Sequence, residues 1–289
     1  MTLRVTARAA AGLAVLAVLT AGCARAGETP SGAADAPRPA AETAPGDAVP
    51  WDTVDAFQAA RRGSYTETIG ITGGGMGPMT LMEETVRFDL DAPYIERTVT
   101  VPEDMSTDGS SGDELRFVYT DTAMLMWHPS TVETCGTHWI DMTEAPYDEI
   151  MGADLQPGDL LAVKPLEFLA AATGKPRHLE TTSSGSTYEI SAPADMGFPV
   201  SSALLGNPGA QEAITGMDAV AEVVLTEAGT SLTISVDLTE AFRTIAPSGE
   251  VPEDVVVRTA WNVTRDIPSF ATDLPADVAD ISCMDAGTG

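Results

Sequence analysis

The chain has 289 residues, 44% of them hydrophobic, and a formal charge of -28 at pH 7. That apolar share suits a globular domain with a buried core, and so negative a field repels phosphate backbones and anionic lipid surfaces alike. Nucleic-acid binding is excluded on that ground.

At the N-terminus, Arg4 and Arg8 precede the apolar run Ala9 to Leu19. The run is too short for the roughly 20 residues with which a helix spans a bilayer, and it fits the charged head and apolar middle of a signal peptide. It closes on Leu19-Thr20-Ala21-Gly22-Cys23. This resembles the bacterial lipoprotein signal, with Thr20 where that signal prefers a large aliphatic residue. The resemblance implies removal of residues 1–22, a diacylglyceryl group on the Cys23 thiol, and a lipid-anchored protein on the outer face of the plasma membrane. Losing Arg4 and Arg8 with the leader would take the charge from -28 to -30.

Residues 23–50 contain no aromatic residue and one large aliphatic residue, Val49, among many Pro, Ala, Gly and acidic residues. Such a segment cannot bury enough surface to order itself. It reads as an acidic tether whose coil dimension is on the order of 30 Å.

The folded domain, residues 51–289, opens with WDTVDAFQAARRG, in which Trp51, Val54 and Phe57 share a helical face and Gly63 supplies a stop. The period then changes from 3.6 to 2. Tyr65, Glu67, Ile69 and Ile71 line one strand face; Met82, Val86, Phe88 and Leu90 follow the turn GGGMGP. Further strands are expected at YIERTVTV, ELRFVYT, AMLMWH and THWIDM, with a tight turn at Asp121-Thr122 and an acidic Gly/Ser loop before Glu114. Helices are expected around Asp148 to Leu155 and in PLEFLAAATG, then strands at RHLETT and STYEISA, and short helices between Gly197 and Met217. AEVVLTEAGTSLTISVDL reads as a hairpin, its second strand alternating Leu232, Ile234 and Val236 with Thr233, Ser235 and Asp237. A last strand, VVVRTAWNVT, leads to an acidic tail. The sum is a single α+β domain: one curled antiparallel sheet of roughly ten strands, a half-barrel with helices on its concave side.

Of the three cysteines, assigning Cys23 to lipid leaves Cys135 and Cys283 as an even pair outside the reducing cytosol. A disulfide is expected between them; two separate buried thiols are the alternative.

The order of elements is similar to that of actinobacterial lipoproteins of the LppX/LprAFG type, relatives of the LolA and LolB carriers. The features that carry the likeness are the opening helix ending in RRGSYTETI, the stretch FVYTDTAMLMWHPSTVETCGTHWIDM, the PLEFLAAATG helix, the Tyr188-Glu189-Ile190 strand and the late hairpin. Sparse lysine (Lys164, Lys175) and asparagine (Asn207, Asn262) point to a GC-rich bacterial genome of the same kind. The resemblance implies a concave apolar cavity for acyl chains. On the alternating strands it would be lined by Met82, Val86, Phe88, Leu90, Phe117, Met124, Met126, Leu232, Ile234 and Val236. A lipid or glycolipid ligand is the expected partner of a monomer; a module with a filled core that meets an envelope protein is the alternative. Methionine suits a surface that adapts to varied apolar ligands, and equally a core that uses it as filler.

Chemistry beyond binding has no mark in the sequence. Met76, Met79 and Met82 invite a copper reading, but spacing of three in a strand sends successive side chains to opposite faces. His128 and His138 flank Cys135 without an evident fourth zinc ligand. No G-x-S-x-G elbow, P-loop, dinucleotide fingerprint or H-E-x-x-H occurs. No cofactor and no enzymatic activity are expected.

Overall fold

A computed structural model of the chain describes residues 51–100, 114–144, 161–198, 212–226, 228–246 and 251–286. Its strands are β1 (Arg62–Gly73), β2 (Met76–Asp89), β3 (Tyr94–Thr100), β4 (Glu114–Thr120), β5 (Met124–Trp127), β6 (Trp139–Asp141), β7 (Thr173–Thr182), β8 (Gly185–Pro193), β9 (Asp218–Thr226), β10 (Ser231–Asp237), β11 (Val256–Arg265) and β12 (Val278–Asp280). The helices are α1 (Trp51–Gln58), α2 (Thr131–Cys135), α3 (Lys164–Ala170), α4 (Thr239–Ile245) and α5 (Cys283–Ala286), with a 3-10 turn at Ala194–Gly197.

All the strands join one open sheet, ordered β12-β6-β5-β4-β3-β2-β1-β11-β10-β9-β8-β7. The α+β half-barrel class is as expected, with twelve strands rather than ten. The acidic tail supplies the strand that was not expected: β12 pairs in parallel with β6, in a sheet whose other pairs are antiparallel. At three residues it is too short for alternation to show. The helices α2, between the expected strands AMLMWH and THWIDM and ending at Cys135, and α4, after β10, are likewise too short for a period of 3.6 to declare itself. The expected helix at Asp148 to Leu155, most of the Gly197 to Met217 segment and Cys23 lie outside the described residues.

The turn between β1 and β2 is tighter than GGGMGP suggests. Only Gly74 and Gly75 separate the strands; Gly73, Gly74 and Gly75 all have positive φ, and a Cβ on Gly73 would lie 2.0 Å from the Asp254 carbonyl oxygen. Only glycine fits that approach. A bulge follows in β2. Ile69 pairs with Met82 but Gly70 with Thr80, so Leu81 is the extra residue. Its consequence corrects the alternation argument for the methionines. Met79 faces Ile71 and Met82 faces Ile69 across the pair, so two methionines three apart share one face.

That face is the helix-covered one. Val54 and Phe57 of α1, Leu166, Phe168 and Leu169 of α3, and Ala241 and Phe242 of α4 share one buried cluster with Tyr65, Val86, Phe88, Leu232, Ile234, Val236 and Trp261 of the sheet. The α3 helix has seven residues and no side-chain N-cap bond. A helix so short does not persist on propensity alone. Burial holds it: each large apolar side chain removed from water contributes roughly 1.5 to 3 kcal/mol.

The opposite face carries a second, small cluster. Tyr94, Val118 and Leu125 are buried there with Trp139, Phe270 and Val278 against them, so the chain after β11 runs back across the outside of the sheet. Cys135 and Cys283 are bonded, with Cα atoms 5.2 Å apart, which fastens that segment to α2.

Candidate functional site

Cross-strand register, read along one row of the helix-covered face, gives Tyr188, Val223, Ile234, Trp261, Glu67, Glu84 and Val99 on seven neighbouring strands. Two carboxylates therefore stand directly opposite each other in the middle of an apolar row. Glu67 is 0% exposed, Glu84 1%, and Arg97 of β3 2%.

Arg97 organises the group. Its Nη1 donates to the Tyr65 hydroxyl at 3.2 Å and to Glu84 Oε1 at 3.3 Å, and its Nη2 donates to the Ala162 carbonyl at 3.2 Å. Ala162 stands two residues before α3, so the arginine ties the sheet to the foot of its covering helix. The guanidinium also lies 5.8 Å from the centre of the Tyr119 ring. From above, Phe168 of α3 packs on Trp261 with ring centres 5.4 Å apart.

Hydrogen bonding in the cluster is incomplete. Both oxygens of Glu67, Oε2 of Glu84, Nε of Arg97, Oγ1 of Thr259 and Nε1 of Trp261 are buried without a partner. Burial, and then the charge of Glu84, push the Glu67 carboxyl up to about 8. Burial also pushes the Tyr65 and Tyr119 hydroxyls well above the usual phenol range, against the pull of Arg97. For Arg97 itself burial opposes the charge, but Tyr65 and Glu84 outweigh it, and the guanidinium is held more firmly protonated than usual.

The residues expected to line a cavity divide into two sets. Val86, Phe88, Leu232, Ile234 and Val236 are sealed at 1% exposure or less, and Met124 is buried with them. They share one buried cluster with the helix residues of α1, α3 and α4. Leu90 and Phe117 are partly buried against the same cluster, and Met82 and Met126 are half-buried. Ile69, Met79, Leu81, Met142 and Leu161 are also only partly covered. Apolar side chains within reach of solvent therefore fringe the sealed core on the β1 to β6 side.

A groove of about 410 Å3 lies elsewhere, lined by Trp127, Val132, Thr137, His138, Trp139 and Asp277 among others. Arg116 and His138 already sit against the Trp127 ring, at 5.1 and 5.5 Å. Cys135 is committed to its disulfide and is no zinc ligand beside His128 and His138. Among the described residues no three His, Cys, Asp or Glu side chains converge as a metal site, and no helix is long and apolar enough to cross a membrane.

Sequence reading placed Glu67 on the apolar face of its strand but did not single out Glu84 or Arg97. The usable signal was a charged residue at an otherwise apolar alternating position in each of three successive strands.

No family model and no curated protein matches the chain. Among solved structures it is similar to a DUF1329 family protein from Desulfovibrio piger, at 10% identity and a TM-score of 0.29, covering 76% of this chain and 93% of that one. It is also similar to a LolA superfamily protein from Nitrosomonas europaea, at 8% identity and a TM-score of 0.25, covering 75% and 94%. Overlap at this level gives no residue of the chain a counterpart.

Proposed function

We propose that this chain is an exported binding protein, anchored to the outer face of the plasma membrane through Cys23, that takes an acyl-bearing lipid or glycolipid on the helix-covered side of its half-barrel. The observation that carries the reading is the fringe of partly covered apolar residues around the sealed core, Ile69, Met79, Leu81, Phe117, Met142 and Leu161. Side chains of this kind form one wall of an acyl site, and methionine adapts to varied chains. The sealed half beneath α1 and α3 means that a long acyl chain enters only if those helices shift. Binding and release, not bond chemistry, is the activity proposed.

A second reading is favoured by a specific observation. Six of the ten expected lining residues are already buried against protein, which suits a module with a filled core that meets another envelope protein by its surface. Organic extraction of the purified full-length protein followed by mass spectrometry, together with titration of a fluorescent fatty acid, separates the two. Co-purified lipid and saturable probe binding that Phe117→Glu abolishes support the first reading. Neither lipid nor probe binding rejects it in favour of the second. In the same preparations Cys23→Ser should move the protein out of the membrane fraction, and unchanged membrane association would reject the anchor.

A further inference from the structure

We propose that Glu67 and Glu84 share a single proton, and that this proton holds the α1 and α3 roof closed over the helix-covered face of the sheet. The inference stands whether or not an acyl chain is the ligand.

Two sealed carboxyls stand directly opposite each other on adjacent strands, where like charges repel most strongly. Among the described residues the guanidinium at hand, Arg97, reaches one oxygen of one of them. The charged side chains that act most strongly on Glu67 come from the sheet: Glu84 from β2 and Arg97 from β3, with the Tyr65 hydroxyl beside them. Among the described side chains the roof adds none: α1 contributes Val54 and Phe57 to the buried cluster while its Asp55 is exposed, and the buried side chains of α3 are Pro165, Leu166, Phe168 and Leu169. Lys164 and Glu167 of α3 are half-exposed. Two carboxylates against one cation leave one negative charge in a site sealed from bulk solvent, and a single proton cancels it.

The unpartnered atoms agree. A proton on Glu67 makes it a donor to Glu84 Oε2, and the remaining Glu67 oxygen an acceptor for the Trp261 indole N–H. Both neighbours bear on the Glu67 carboxyl as hydrogen-bonding groups, although neither reaches bonding geometry here. Small rotations would therefore satisfy four of the six orphaned atoms. The raised Glu67 carboxyl points the same way: the pair keeps its proton through neutral pH. When the proton leaves, the pair needs water, and the Phe168 to Trp261 packing and the Arg97 to Ala162 bond are described contacts that hold the roof down beside it.

Linkage fixes the sign. A carboxyl raised in the folded state binds a proton that the unfolded chain has already released, so stability falls as pH rises from the unfolded value, near 4.5, to about 8, and is level beyond. The decisive measurement compares the wild type with Glu67→Gln, a neutral stand-in for the protonated acid, by urea unfolding between pH 5 and 9. The rest of the acidic surface is common to both, so their difference isolates the pair. The unfolding constant of the wild type relative to Glu67→Gln should rise on the order of tenfold per pH unit up to about pH 8. Intrinsic-rate-corrected hydrogen exchange in residues 161–172 should rise over the same range in the wild type only. Infrared difference spectra of the wild type, pH 6 against pH 9, should show the carbonyl band of a sealed carboxylic acid disappear; this needs no variant to fold. Parallel pH profiles for the two proteins, no such band at pH 6, or a stoichiometric metal ion in the purified protein would each overturn the proposal.

Discussion

Reducing the Cys135–Cys283 bond gives the prediction with the widest reach, because the bond spans 148 residues of sequence. Releasing a closed loop of that size returns roughly 5 kcal/mol of chain entropy to the unfolded ensemble at 25 °C in the chain-entropy model. The folded state loses comparatively little. Besides the disulfide, the segment after β11 is held by three residues of parallel pairing between β12 and β6, by Thr137 Oγ1 donating to the Asp277 carbonyl at 2.8 Å, and by Phe270, whose ring lies 6.0 Å from Tyr94 and 5.2 Å from the Arg87 guanidinium. These contacts cover a cluster of only three buried side chains. Reduction should therefore act in two ways: global stability drops by about 3 to 5 kcal/mol, and residues 266–286 open locally before the sheet melts. Urea unfolding with and without reductant reads the first, with a larger m-value expected for the reduced chain because its unfolded state is less compact. Hydrogen exchange by mass spectrometry reads the second. Coincident midpoints together with unchanged exchange in 266–286 would refute the reasoning, since the disulfide would then neither constrain the unfolded chain nor hold the segment.

Two substitutions test the core from opposite directions. Arg97→Met leaves Glu84 buried without its cation and should cost about 3 to 5 kcal/mol at pH 7, most of it recovered by adding Glu84→Gln; a double variant no more stable than Arg97→Met would show that the arginine acts through packing instead. At Gly63 a Cβ would lie 2.6 Å from the Phe88 ring and 2.8 Å from the Thr264 carbonyl oxygen, so Gly63→Ala should cost on the order of 1 to 3 kcal/mol in chemical denaturation, and a neutral result would mean that β1 and β11 separate there without strain.

What the sequence made legible was local. Leu232, Ile234 and Val236 alternate without a fault, and all three are sealed in the core. Val54 and Phe57 share a helical face, and both are buried. The Cys135–Cys283 pairing followed from counting. Register was out of reach, because it depends on which strands become neighbours. The chain gives no local sign that β11, nearly two hundred residues after β1, pairs with it, yet that pairing sets Trp261 beside Glu67. The bulge at Leu81 is hidden for the same reason: Met-x-x-Met reads as two faces until the partner strand shows one residue too many. Whether the inward face is open or filled was illegible for another reason. Alternation says which side chains point inward, and a helical roof that fills the space, as Phe168 does over Trp261, leaves the same pattern as an empty one.

The placement of Glu67 and Glu84 bears on the proposed function as well as on stability. If the fold needed only a stable core, two valines facing each other across β1 and β2 would serve, and replacing buried ionic groups by well-packed apolar ones is often neutral or stabilising. The chain instead keeps two carboxyls, an arginine and two tyrosines where α3 meets the sheet. A roof held partly by polar groups can be released by solvating them, whereas one held only by apolar packing resists opening to the full extent of its buried area. If opening is what admits a ligand, Glu67→Gln, which cannot lose the proton, should bind a fluorescent fatty acid more slowly than the wild type above pH 8, by a ratio that shrinks as pH falls to 5. Equal association rates at both pH values would separate the proton from ligand entry, while leaving its effect on stability intact.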